Sequence, residues 1–197
     1  MGYTHYWRRP QELDASKFKL AIDDCRKVCN ALPVPLGDCE GKGQPEFTDN
    51  LLSFNGSMNS LSLCKAAISI PWPTDDAEGI ATIADVEPIA GNWFAGNLLK
   101  SRCCDEDGDG SFESFVLERL FAAEDWDKPD ENGQFFACCK TAFRPYDLDV
   151  QCCLIVFKEY FGESIMVTSD GTDKQWNEAR DVCQHILRYG LLFVLDT

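Results

Sequence analysis

The chain is expected to be an α+β domain: a mixed, largely antiparallel sheet packed with about three helices, one of them central and buried. Three observations predict this. Residues 152–157 (CCLIVF) are an unbroken apolar run of six, enough to wrap a helix on every side. Two other segments carry one-sided helical stripes: Phe18, Ile22, Cys25, Cys29 and Leu32 in one, and Trp176, Ala179, Cys183 and Ile186 in the other. Between them lie short β-prone stretches bounded by Gly, Pro, Asn and Asp, in the order β-α-β-β-loop-β-β-α-β-α-β.

Taken in order, residues 2–8 (GYTHYWR) read as a strand with Tyr3, His5 and Trp7 on one face and Thr4 and Tyr6 on the other. A helix follows from about Asp14 to Leu32. Asp14 or Ser16 caps it, and Pro33 and Pro35 end it. Residues 37–46 are a Gly- and Pro-containing loop. Residues 46–55 hold a strand that runs to a turn signal at Asn55-Gly56. Ala67–Ile70 is a further strand before Pro71-Trp72-Pro73, and 74–100 a long ordered loop pinned by Trp93 and Phe94.

Residues 105–131 are an acidic insertion with a strand at 114–121. They hold eleven acids against Arg119 and Lys128. Residues 134–143 form the next strand and deliver the chain to the central helix, which spans 140–162 with its entry. Pro145 suits the first helical position, Asp147 and Asp149 complement the helix dipole, and Gly162 is a stop. Ile165–Ser169 is a strand and Ser169-Asp170-Gly171 a turn. Thr172-x-x-Gln175 is a capping box for the last helix. Gly190 ends that helix, and Leu191–Leu195 is a final buried strand. All 197 residues fit one domain, 1–197, large enough for a core without staples.

Composition narrows the function. Hydrophobic residues make up 45% and aromatics 12%, so the chain is globular. A net charge of −15 argues against a broad nucleic-acid-binding face. It leaves open an acidic interaction module or a DNA mimic. No apolar run reaches the ~18 residues of a membrane span, and the N-terminus lacks a signal-peptide core. The expectation is a cytoplasmic protein with no membrane partner. The eleven cysteines include the neighbouring pairs 103–104, 138–139 and 152–153 but no C-x-x-C. They read as reduced, mostly buried small hydrophobes.

Three places carry chemistry. Asp105, Asp107 and Asp109, with Gly110, match the opening of a calcium-binding EF-hand loop, and Glu113 suits position 9. Position 12 needs a bidentate acid and is Val116, so weak binding at an exposed acidic tip is expected, and no other cofactor. Second, His5, Tyr6, Trp7, Arg8, Trp72, Lys140, Arg144 and Tyr146 flank strand ends and the start of the central helix. Cations beside a helix N-terminus hold anions, and rings stack on rings. The plain alternative is that Arg144 pairs with a carboxylate and the aromatics fill the core. Third, His5 is the candidate acid–base residue, with Asp147 or Glu113 as partner or with Cys139 as nucleophile; the plain alternative is a structural histidine.

The blocks GYTHYW (2–7), SFNG (53–56), IPWP (70–73), WFAG (93–96), ESF (113–115), CKTAFRPYDLDV (139–150) and SDG (169–171), with Trp176, span nearly the whole chain. On these the chain resembles an uncharacterised family of bacteriophage and bacterial proteins. The acidic loop at 105–110 departs from that family's pattern. The resemblance implies a soluble phage-type accessory protein that sequesters a small anionic, nucleotide-like ligand, acting against host defence in the host-cell cytosol. A hydrolase acting on such a ligand through His5 is the alternative.

Overall fold

A computed structural model describes residues 3–59, 102, 104, 105 and 107–197. Among them the fold is α+β, with seven strands and three helices. The strands form two antiparallel sheets rather than one mixed sheet. The expected strand 67–70, the loop 74–100 and Trp72 lie outside the described residues.

Strand β1 (Thr4–Arg9) is the middle of a three-stranded sheet, between β6 (Phe135–Lys140) and β7 (Met166–Ser169). Its side chains alternate as the sequence predicts: His5, Trp7 and Arg9 are buried, while Tyr6 and Arg8 reach the outer face. The register sets His5 beside Cys139 on one neighbour and Ser169 on the other. Helix α1 (Ala15–Ala31) begins at the expected cap, where Asp14 accepts the Lys17 N–H at 2.9 Å. Its stripe of Phe18, Ile22, Cys25 and Cys29 is buried.

The second sheet is built around β4 (Leu51–Gly56). It pairs with β2 (Leu36–Gly37), β3 (Glu46–Phe47) and β5 (Phe115–Glu118). Two expectations are corrected here. Residues 46–55 are two strands, because Thr48 turns the chain: its hydroxyl accepts the Leu51 N–H at 3.0 Å, and its own N–H donates to the Leu51 carbonyl. Asn55-Gly56 is no hairpin turn, because Gly56 is a strand residue paired with Leu36. A Cβ at Gly56 would lie 2.0 Å from the Gly110 carbonyl oxygen, so the two backbones touch there. Gly56→Ala is expected to lose about 1–3 kcal/mol, read as a lowered urea midpoint; an unchanged midpoint would show that the 110 loop yields freely.

The acidic segment is tied into this sheet through β5. Its strand is shorter than expected because Arg119 and Leu120 turn toward residues 12 and 13. Trp7 packs on Phe115 and Phe115 on Phe54, each at 5.2 Å between ring centroids, which joins the two sheets.

Helix α2 (Asp147–Phe161) is the centre. Every residue from Asp147 to Phe157 is buried, as the apolar run requires. It starts two residues after Pro145, because residues 141–146 form a tight turn with Ala142 and Phe143 at positive φ (50° and 58°). Gly162, at φ 54°, ends it. The capping box of Thr172 and Gln175 is present; it opens a short 3-10 turn that leads into α3 (Asn177–Leu187).

The expected last strand at Leu191–Leu195 is corrected: these residues form a turn and an irregular tail. Phe193 alone is fully seated, stacked on Trp176 at 5.0 Å, and Leu192 is 95% exposed. Asp196 anchors the tail by accepting from Lys158 Nζ and the Val167 N–H. Among the described residues eight cysteines carry free thiols, but Cys104 is disulfide-bonded, which departs from the expectation of reduced thiols. Among the described residues no helix is long and apolar enough to cross a membrane.

Candidate functional site

The start of α2, the inner face of β1 and the end of β7 meet in a buried polar network. Asp147, in the first turn of α2, is its hub. Asp147 Oδ1 accepts from His5 Nε2 at 2.7 Å and from the Thr141 hydroxyl, and Oδ2 accepts from Arg102 Nε at 2.8 Å. Arg102 also donates to Glu178 on α3 and, at 2.9 Å, to Gln151 one turn along α2. Gln151 donates in turn to the Tyr3 hydroxyl at 3.3 Å. His5 Nδ1 lies 3.0 Å from Ser169 Oγ. His5, Thr141, Asp147 and Gln151 have no exposed surface, whereas Ser169 is partly exposed. The rings of Tyr3 and Trp176 each meet the imidazole edge-on, with centroids at 5.0 Å.

Electrostatics fix the proton positions. Burial alone would raise the Asp147 pKa, but Arg102, then His5 and Thr141, more than offset it and bring it down to about 2. Asp147 is therefore an ionised acceptor, and His5 Nε2 must carry the proton it donates. In the neutral ring Nδ1 is then the acceptor, so the Ser169 hydroxyl donates to it. The Gly171 N–H donates to Ser169 Oγ at 2.9 Å and holds that oxygen in place. Glu178 behaves oppositely to Asp147: burial raises its pKa to about 7 against the pull of Arg102.

His5 and Asp147, paired on the sequence as one option, thus meet directly. Glu113 does not join them; it accepts the Lys140 N–H at 2.8 Å. Cys139 is ruled out as the nucleophile, because its thiol is fully buried, burial pushes its pKa up, and it donates to the Glu113 carbonyl. The expected anion cradle at the start of α2 is filled from within. Arg144 donates to Asp105 at 3.2 Å, and Asp147 occupies the helix entry. Lys140 Nζ sits 5.4 Å from the Phe112 ring centre. Trp7 and Tyr146 belong to the core, 2% and 0% exposed, so neither offers a face for stacking. Tyr6 lies on the outer sheet face, donating to Asp170 at 3.0 Å.

The carboxylates of Asp105 and Asp109 are spent largely on the backbone of their own loop. Asp105 Oδ1 accepts the N–H groups of Asp107 and Asp109, and Asp109 Oδ1 accepts from Ser111. Among the described residues no three acids, histidines or cysteines are grouped to hold a metal ion.

Sequence reasoning missed Ser169, Arg102, Gln151 and Glu178. Ser169 reads on the sequence as the end of a strand and the start of a turn, not as a nucleophile, and nothing near Arg102, Gln151 or Glu178 in the chain marks them. No protein-family model, curated protein or solved structure matches the chain.

Proposed function

We propose that the protein is a hydrolase in which Ser169 is the nucleophile, His5 the general base and Asp147 the group that orients the imidazole. The observation that carries this is one continuous relay: Ser169 Oγ to His5 Nδ1 at 3.0 Å and His5 Nε2 to Asp147 Oδ1 at 2.7 Å. Its two inner members are sealed from water and its outer member is partly exposed. In the reaction, Ser169 Oγ attacks an ester carbonyl carbon while its proton passes to His5 Nδ1. Asp147 stabilises the resulting imidazolium, which then protonates the leaving oxygen. Water repeats the sequence on the acyl-serine. The small, anionic, nucleotide-like ligand expected from the sequence sets the first esters to screen.

A fluorophosphonate probe is expected to label wild-type protein at Ser169, located by peptide mass spectrometry, and to leave Ser169→Ala unlabelled with an unchanged thermal melt. Absence of wild-type labelling, or equal labelling of the variant, would sink the reading.

The second reading is a protein that sequesters the ligand intact. The outer sheet face favours it: Tyr6 stacks on Phe136 at 6.0 Å and the Arg8 guanidinium lies 5.5 Å from the same ring. Recovery of unchanged ligand after denaturation of the complex separates the two.

A further inference from the structure

We propose that the cleft between β5 and β6 binds a small aromatic anion, with the buried Arg9 supplying the positive charge. This does not depend on the Ser169 reading. Among the described residues β5 pairs only with β4, and β6 only with β1, so each has an edge without a strand partner. The two strands meet at one end, where the Glu113 N–H reaches the Lys140 carbonyl at 3.3 Å. At the other end the Arg9 guanidinium donates to the carbonyls of Glu118 and Arg119. Between these ties is a cavity of about 360 Å³, within the range of small-molecule sites.

The charge on Arg9 is the deciding feature. Three arginines are buried among the described residues: Arg9, Arg102 and Arg180. Arg102 is neutralised by Asp147 and Glu178, and Arg180 by Asp173. Among the described residues Arg9, 1% exposed, donates only to main-chain carbonyls, those of Pro10, Gln11, Glu118 and Arg119. Burial lowers its pKa to about 10, and Glu118 opposes this only in part. The Glu118 carboxylate is not within ion-pair distance; it accepts the Ala122 N–H at 3.2 Å. A buried charge without a counter-charge is costly. The chain has 33 acids against 18 bases, yet among the described residues no acid is within ion-pair distance of Arg9. An anion entering the cleft completes the pair. Phe121 and the half-exposed Phe136 line the same cavity, and Arg9 lies 6.0 Å from the Phe121 centre, which favours a flat, aromatic carrier for that charge.

The test is calorimetric titration with phenyl phosphate, AMP and uncharged adenosine. The two anions are expected to bind at least about tenfold more tightly than adenosine. Phe136→Ala, at a half-exposed ring, weakens both anions. Glu118→Gln removes the competing carboxylate and tightens them. Arg9→Met is a poor first variant, because it also releases four carbonyls. Equal affinity for AMP and adenosine, no binding of either anion, or indifference to Glu118→Gln would each overturn the proposal.

Discussion

Asp147→Ala is expected to destabilise the protein by about 3–5 kcal/mol, the cost of removing one partner from a buried ion pair. The carboxylate holds three donors at once, from Arg102, His5 and Thr141. Its loss leaves Arg102, 5% exposed, with only Glu178 as counter-charge among the described residues, and the His5 Nε2–H without an acceptor. The urea midpoint measures this, with the slope unchanged if the unfolded state is unaffected. Asp147→Asn keeps the volume and one acceptor and is expected to cost less. Asp49→Ala is the control: Asp49 pairs with Lys19, but both side chains are more than half exposed, so its loss stays within about 1 kcal/mol. A loss below ~1 kcal/mol for Asp147→Ala would mean that water reaches the network in solution and that Arg102 is not confined there.

The helices were legible because their signals are local. The 4-3-4-3 stripe ending at Leu32, the Asp14 cap and the capping box at Thr172 are each satisfied within a few residues of chain. The all-round apolar run at 152–157 announced a helix enclosed on every side, and it is enclosed. Strand ends were less legible because partners decide them. Residues 46–55 carry one β-prone pattern, yet Thr48 folds them into a hairpin. The apolar run 191–195 looks like a buried strand, but only Phe193 finds a slot, beside Trp176. Nothing in five apolar residues says whether a sheet edge is available to receive them.

The site was half legible for the same reason. His5 stood out as one of two histidines, and Asp147 as an acid at a helix start, so their pairing was a reasonable option. Their meeting depends on β1 lying between β6 and β7, which sets His5 level with Ser169. Ser169 itself is separated from His5 by 164 positions, and Arg102 from Glu178 by 76. Such contacts leave no periodic trace. Arg144 misled because an arginine beside a helix start suits an anion, yet it equally suits a neighbouring acid, and Asp105 takes it. Arg9 had no local signal at all: that no carboxylate among the described residues pairs with it is visible only once burial and partners are known.

Glu178→Gln is expected to reduce the fall in stability between pH 4.5 and 7. Glu178 has its pKa raised to about 7 in the folded protein, from 4.5, with burial the largest cause and Asp147 and Asp181 adding repulsion against the pull of Arg102. The folded state therefore holds this proton more tightly than the unfolded state does. Below pH 4.5 the group is protonated in both and contributes nothing. Between 4.5 and 7 the unfolded chain loses the proton first, so stability falls as pH rises. Above 7 the loss levels off at about 3 kcal/mol. Asp147 has the opposite sign. Its pKa is lowered to about 2, from 3.8, so its contribution is present above 3.8 and is lost as pH falls through 2. The same arginine grips both acids; the difference is that Asp147 has His5 and Thr141 as further donors. Urea midpoints from pH 3 to 8 are thus expected to rise to a maximum near pH 4 in wild type and then decline. In Glu178→Gln the decline is shallower by about 3 kcal/mol, the part that Asp149 contributes stays, and the acid-side rise remains. A decline that persists unchanged in the variant would move its origin to another buried acid. Asp149 is the one in view: burial raises its pKa well above the usual range.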